Sequence, residues 1–103
     1  MAAIRTERAA SDTSAGALEV LLHTDGLDPR WWSNGPGDRY ASHAHAYHKV
    51  LYCSRGSIVF HTSQGDIELR PGDRLDIDPA TEHAATVGPD GVTCVEAALS
   101  PEP

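Results

Sequence analysis

The segment Ser42–Lys49, SHAHAYHK, holds three of the chain's six histidines and its single lysine. Imidazoles near neutral pH serve as metal ligands, acid–base groups or hydrogen-bonding partners. If His43 begins a strand, alternate side chains share a face. His43, His45, Tyr47 and Lys49 then point one way, and Ser42, Ala44, Ala46 and His48 the other. His-x-His spacing places two imidazoles about 7 Å apart at their Cα atoms, which suits chelation of one divalent ion. His48 lies on the wrong face unless a bulge re-aims it. His-x-His alone is common by chance, but "PGDRLDIDPATEH" places a further histidine, His83, in a later strand after alternating apolar residues.

The elements that must position these residues are mostly strands. From Pro29 onward the chain breaks into short β-branched and aromatic runs, "HKVLYCS", "SIVFHT", "DIELR", "DRLDID", "EHAATV" and "VTCVEAAL". The breaks are "RG", "SQG", "PGD", "DPAT" and "GPDG", a spacing typical of an antiparallel sandwich or barrel. "DIELRPGDRLDID" reads as a hairpin, with Ile67 and Leu69 alternating with polar residues, then Leu75 and Ile77 doing the same, around a Pro71-Gly72 turn. Before the strands, Leu18, Leu21 and Leu22 have helical spacing, and Gly26 and Pro29 stop the helix, predicting one helix at about 15–25. Residues 1–13 carry little apolar weight and read as a loose tail, leaving one domain over 14–100.

The whole-chain numbers narrow the function classes. A chain of 103 residues supports one modest core. Net charge is −7, and the seven arginines and Lys49 are scattered. Phosphate binding needs clustered cations, so neither nucleic acid nor an anionic membrane surface is expected as a partner. No apolar run approaches the ~20 residues of a membrane helix, and the N-terminal segment lacks the apolar core of a signal peptide. A cytoplasmic location is expected, with Cys53 and Cys94 as buried thiols rather than a disulfide.

Two segments resemble the paired motifs of the cupin superfamily. "GDRYASHAHAYHKVLYCSRG" has Gly37, His43, His45 and Gly56 in the register of the first motif, and "GDRLDIDPATEH" has Gly72 and His83 in that of the second. The resemblance implies a small jelly-roll β-barrel with the short N-terminal helix attached, and inward histidines facing one pocket. It also implies a divalent transition metal (Zn, Fe, Ni or Cu) on His43, His45 and His83. The usual glutamate of the first motif is Lys49, and the usual Pro and Gly of the second are Asp78 and Ala80, with Pro79 slipped one place.

Lys49 sets the chemical question. An ammonium 4 Å from a dication is repelled by about 8 kcal/mol at an effective dielectric near 20. Three solutions follow: a neutral Lys49, a Lys49 turned away from a three-histidine site, or a metal-free pocket binding an anionic or carbonyl ligand. Lys49 could act as a catalytic base or Schiff-base amine, or anchor a substrate carboxylate. Tyr47, on the same predicted face, could donate a hydrogen bond to ligand or take part in catalysis. Asp78 and Glu82 are the nearby carboxylates that could replace the missing glutamate. The expected function is a small metal-dependent cupin enzyme on a small organic molecule, or a non-catalytic cupin that binds or senses one. A homodimer through an apolar outer sheet face is also expected.

Overall fold

The computed structural model describes residues 3–99, and two long strands carry its architecture. β4 (His48–Thr62) and β7 (His83–Leu99) pair antiparallel over most of their length. Five shorter strands complete the fold: β1 (Ile4–Arg8), β2 (Arg30–Asn34), β3 (Arg39–His43), β5 (Gly65–Leu69) and β6 (Asp73–Ile77). The first half of β4 and the last half of β7 lie in the order β1-β6-β4-β7-β2. On the other halves, β5 pairs with β4 and β3 with β7. The halves enclose one core, with Leu51, Cys53, Leu75, Ile77 and Cys94 from the first layer against Ile58, Phe60, Leu69, Ala85 and Val87 from the second. The fold is an all-β jelly-roll barrel with one short helix.

The long strands cross two positions read as breaks in the sequence, "RG" and "GPDG". Pairing runs through "RG" and resumes on both sides of "GPDG", from Gly56↔Val92 to Ile58↔Val87, with register shifts at Cys53/Arg55 and Gly56/Ile58. The glycines there work as bulges that bend a strand rather than as turns that end it. Gly56 has φ +74°, and a Cβ on it would lie 1.9 Å from the Gly91 carbonyl oxygen. The bulge also resets parity, so that odd positions face inward at Leu51 and Cys53 and even ones at Ile58 and Phe60.

Two further expectations are corrected. "DIELRPGDRLDID" is not a hairpin: β5 and β6 each pair with a different stretch of β4, at Ile58–Thr62 and Lys49–Tyr52. The Pro71-Gly72 turn does form, closed by the Asp73 amide on the Arg70 carbonyl at 2.9 Å, but it links two layers. The tail expected over 1–13 contains β1, paired with β6 from Ile4↔Ile77 to Arg8↔Asp73. Ile4 is its one buried side chain, and Arg5–Asp78 and Arg8–Asp73 ion pairs at 3.1 and 3.0 Å lie along it.

Helix α1 (Ala15–Thr24) falls where leucine spacing places it. Ser14 caps it, its hydroxyl accepting from the Ala17 amide, and Gly26 at φ +76° follows its end. Leu18 and Leu22 are fully buried against Val50, Tyr52, Val95 and Ala97 on the outside of the sheet. Burial of each leucine contributes about 2 kcal/mol. The helix therefore covers part of the apolar outer face on which a dimer contact was expected. Trp31 and Trp32 alternate across β2, Trp31 packing on this outer cluster and Trp32 on the barrel core. Among the described residues, no helix is long and apolar enough to cross a membrane.

Candidate metal and ligand site

His43, His45 and His83 converge at one end of the barrel, but by a different route from the one parity suggests. His43 ends β3 rather than beginning a strand, and it pairs in register with His83 at the start of β7. His45 and Tyr47 lie in the β3–β4 connection, where strand alternation does not apply. The Ala80 amide donates to the His45 carbonyl at 2.7 Å and ties this connection to the β6–β7 loop.

The three rings are neighbours, with centroids 4.9 Å (His43–His45), 4.5 Å (His43–His83) and 5.1 Å (His45–His83) apart. One nitrogen from each lies within 4.8 Å of the others. Nδ1 of His43 bonds the Ala41 carbonyl at 2.8 Å, and Nδ1 of His83 bonds that of Thr81 at 2.9 Å. Such bonds fix the tautomer and leave Nε2 as the donor atom for a metal. His45 Nδ1 is buried and has no hydrogen-bond partner among the described residues. An orphaned buried nitrogen beside two oriented imidazoles is what a transition-metal donor set of this kind needs.

Electrostatics favour the neutral rings that metals require. Burial pushes His45 below the usual histidine range, assisted by Lys49, His43 and His83. Burial does the same to His83, partly opposed by its bond to Thr81, with smaller contributions from His43 and Lys49.

His43 and His83 form one side of a half-open pocket of about 200 Å³ whose apolar wall is Trp32, Tyr40, Ile58, Phe60 and Ala85. Lys49 faces into it, as strand alternation predicts, and meets a residue that sequence reasoning missed. Its Nζ lies 2.9 Å from Glu96 Oε1, with only 14% and 21% of the two side chains exposed. The Trp32 indole N–H donates to the same oxygen at 2.8 Å. Glu96 is opposite Leu51 in the β4–β7 ladder, so Lys49 is its diagonal neighbour on the inner face. A signal for it did exist: Val92, Cys94 and Glu96 alternate on β7, which puts a carboxylate on an apolar face.

The remaining candidates lie elsewhere. Tyr47 stacks on His45 at 5.1 Å and lines a neighbouring cavity with Leu27 and Arg30, rather than the one that Lys49 faces. His48 points to the outside, 3.4 Å from Asp76. Asp78 pairs with Arg5, and Glu82 is exposed. Cys53 and Cys94 are free, fully buried and opposite one another across β4 and β7.

Over 64 residues the chain is 39% identical to quercetin 2,3-dioxygenase of Bacillus subtilis (strain 168), a match covering 60% of this chain and 19% of that protein. The chain thus spans about a fifth of that relative's length. An RmlC-like cupin from Shewanella frigidimarina NCIMB 400 superposes with a TM-score of 0.63 at 24% identity, over 74% of this chain and 67% of the other. A chain from crystal structures of DMSP lyases gives a TM-score of 0.66 at 24% identity, over 72% and 38%. Residues 33–103, more than half of the chain, match the AraC-like ligand binding domain. By that match and by its barrel, the chain belongs to the AraC-like ligand-binding family of cupin proteins.

Proposed function

We propose that this chain is a small cupin that holds one divalent transition metal on His43, His45 and His83 and binds a small organic molecule in the adjoining cavity. The observation that carries this reading is the histidine cluster itself, with two Nδ1 atoms held by backbone carbonyls and the third buried without a partner. Three neutral imidazoles with open positions suit Zn, Fe, Ni or Cu, and a bound dication would supply Lewis-acid polarisation of a ligand oxygen. The likeness to quercetin 2,3-dioxygenase is in keeping with a metal-dependent enzyme. Lys49 and Glu96 are the polar groups placed to meet a ligand inside the cavity, and Tyr47 borders the cluster from the loop side.

Metal analysis of the purified, untagged chain tests this. Close to one equivalent of a transition metal, or its uptake on titration, is expected. Alanine at His83 should weaken binding by on the order of a hundredfold, the upper end of what one coordinating group's surroundings are worth. Absence of metal both as purified and on titration would sink the reading.

A second reading, a non-catalytic pocket that binds the same kind of molecule without metal, is favoured by one observation. Lys49 stands where the resembled motif has a carboxylate, and its charge is answered by Glu96. In this reading His43, His45, His83 and Lys49 themselves contact the ligand, and ligand binding undiminished in the chelator-treated, metal-free chain would support it.

A further inference from the structure

The polar groups inside the cavity carry more information than the presence of a ligand. The Lys49 ammonium forms an ion pair with Oε1 of Glu96 at 2.9 Å, and the Trp32 indole N–H donates to the same oxygen. Among the described residues, Oε2 receives no hydrogen bond. Glu96 lines this pocket beside the Lys49 ammonium, so its carboxylate keeps a further acceptor oxygen and the ammonium keeps further N–H donors. A ligand carboxylate anchored on Lys49, as the sequence suggests, would have to sit against the Glu96 carboxylate in a site of low exposure. Like charges brought together in such a place oppose binding strongly. A hydroxyl meets both groups well, donating to Oε2 and accepting from Nζ.

Size and wall chemistry narrow the ligand further. An apolar cavity of ~150 Å³ holds one benzene ring. This half-open pocket, at about 200 Å³, accepts one ring and a small substituent against its apolar wall. Its wall includes Trp32, Tyr40 and Phe60, with the Trp32 and Tyr40 rings edge-to-face at 6.0 Å, surfaces that favour another aromatic ring.

We infer that Glu96 is the specificity-determining residue of this pocket, and that with Lys49 it selects an uncharged, single-ring hydroxylated ligand, a phenol, over a carboxylate of equal size. The inference rests on the ligand-pocket reading above and adds the chemical class of the ligand.

Phenol and benzoate are the matched probes, since they share a ring and at neutral pH differ in charge. Titration calorimetry on the purified full chain should show phenol binding at least about tenfold tighter than benzoate. Glu96→Gln should remove or reverse that preference, through a gain for benzoate. Lys49→Met/Glu96→Gln, which leaves no lone buried charge, should also lose the preference, and its thermal melt reports folding independently. Equal or tighter benzoate binding by the unmodified chain, no saturable binding of either probe, or an unchanged preference in both variants would overturn the inference. Metal content measured on the same samples keeps the two readings apart. Protein that holds no metal as purified or on titration yet prefers phenol retains the inference and loses the metal reading, and metal-loaded protein that does not discriminate does the reverse.

Discussion

Lys49 and Glu96 form a diagonal pair on the inner face of the barrel, and their charges bear on everything bound near the histidines. Lys49→Glu removes a cation and adds a donor, so it should tighten metal binding, by on the order of tenfold or more. Glu96→Gln withdraws the counter-charge and should weaken it. Competition against a metallochromic chelator reads both variants, and unchanged affinity for Lys49→Glu would mean that Lys49 does not face the ion. Acidity should act through His45 and His83. Both are held below the ordinary histidine value of 6.5, chiefly by burial. The unfolded chain then takes up protons at a higher pH than the folded one. Stability is therefore full above about 6.5 and declines as pH falls through that value towards the lowered folded values. Thermal melts of the metal-free chain at stepped pH should show this decline, and it should shrink in His45→Ala. The three histidines and the inward aim of Lys49 are legible in the sequence, because motif spacing and alternation along β4 are local facts. Glu96 is 47 positions away from Lys49 in the chain, and only the β4–β7 register makes them partners.

Elements fix how precisely these residues meet, and the β6–β7 loop shows it well. Ala80 has φ +63°, the only positive φ of a non-glycine among the described residues, and its amide holds the His45 carbonyl. Left-handed backbone costs an L-residue about 1–2 kcal/mol, a cost that glycine avoids. The resembled motif commonly has glycine here. Ala80→Gly should thus raise stability by about 0.5–1 kcal/mol after the glycine's larger unfolded-state entropy is counted, while keeping the amide bond to His45. Urea titration checks this, and a loss of stability would mean the loop does not hold Ala80 in that conformation. The same scale shows why parts of the sheet were hard to read. Gly-Pro punctuation marks turns and bulges alike, so "RG" and "GPDG" looked like strand ends. "IRTER" offers one apolar residue for the core, too little for a periodic signal, and becomes a strand only because β6 presents an open edge beside it. The Pro71-Gly72 turn is legible in the sequence, yet turn chemistry does not say which strands pair across it.

At the scale of the molecule, the chain carries two apolar clusters on opposite sides of one layer. The inner cluster closes the barrel around the cavity, and the outer one lies between that layer and α1. β4 and β7 contribute to both, so Val50, Tyr52, Val95 and Ala97 face the helix, while Lys49, Leu51, Cys94 and Glu96 face inward from the same strands. The helix thus acts as a cover for the wall that presents Lys49 and Glu96. Leu22→Ala should cost about 2–5 kcal/mol, the usual range for a leucine removed from a packed interior. A polar pair, Leu18→Ser/Leu22→Ser, should go further and expose the sheet face itself, a contiguous apolar patch of the kind that drives association. Light scattering should then report a higher mass for the double variant than for the unmodified chain, whatever the assembly state of the latter. Because the strands are shared, ligand and metal affinity should fall with stability rather than independently of it. An unaltered mass together with an unaltered melting temperature would show that α1 does not cover the sheet in solution.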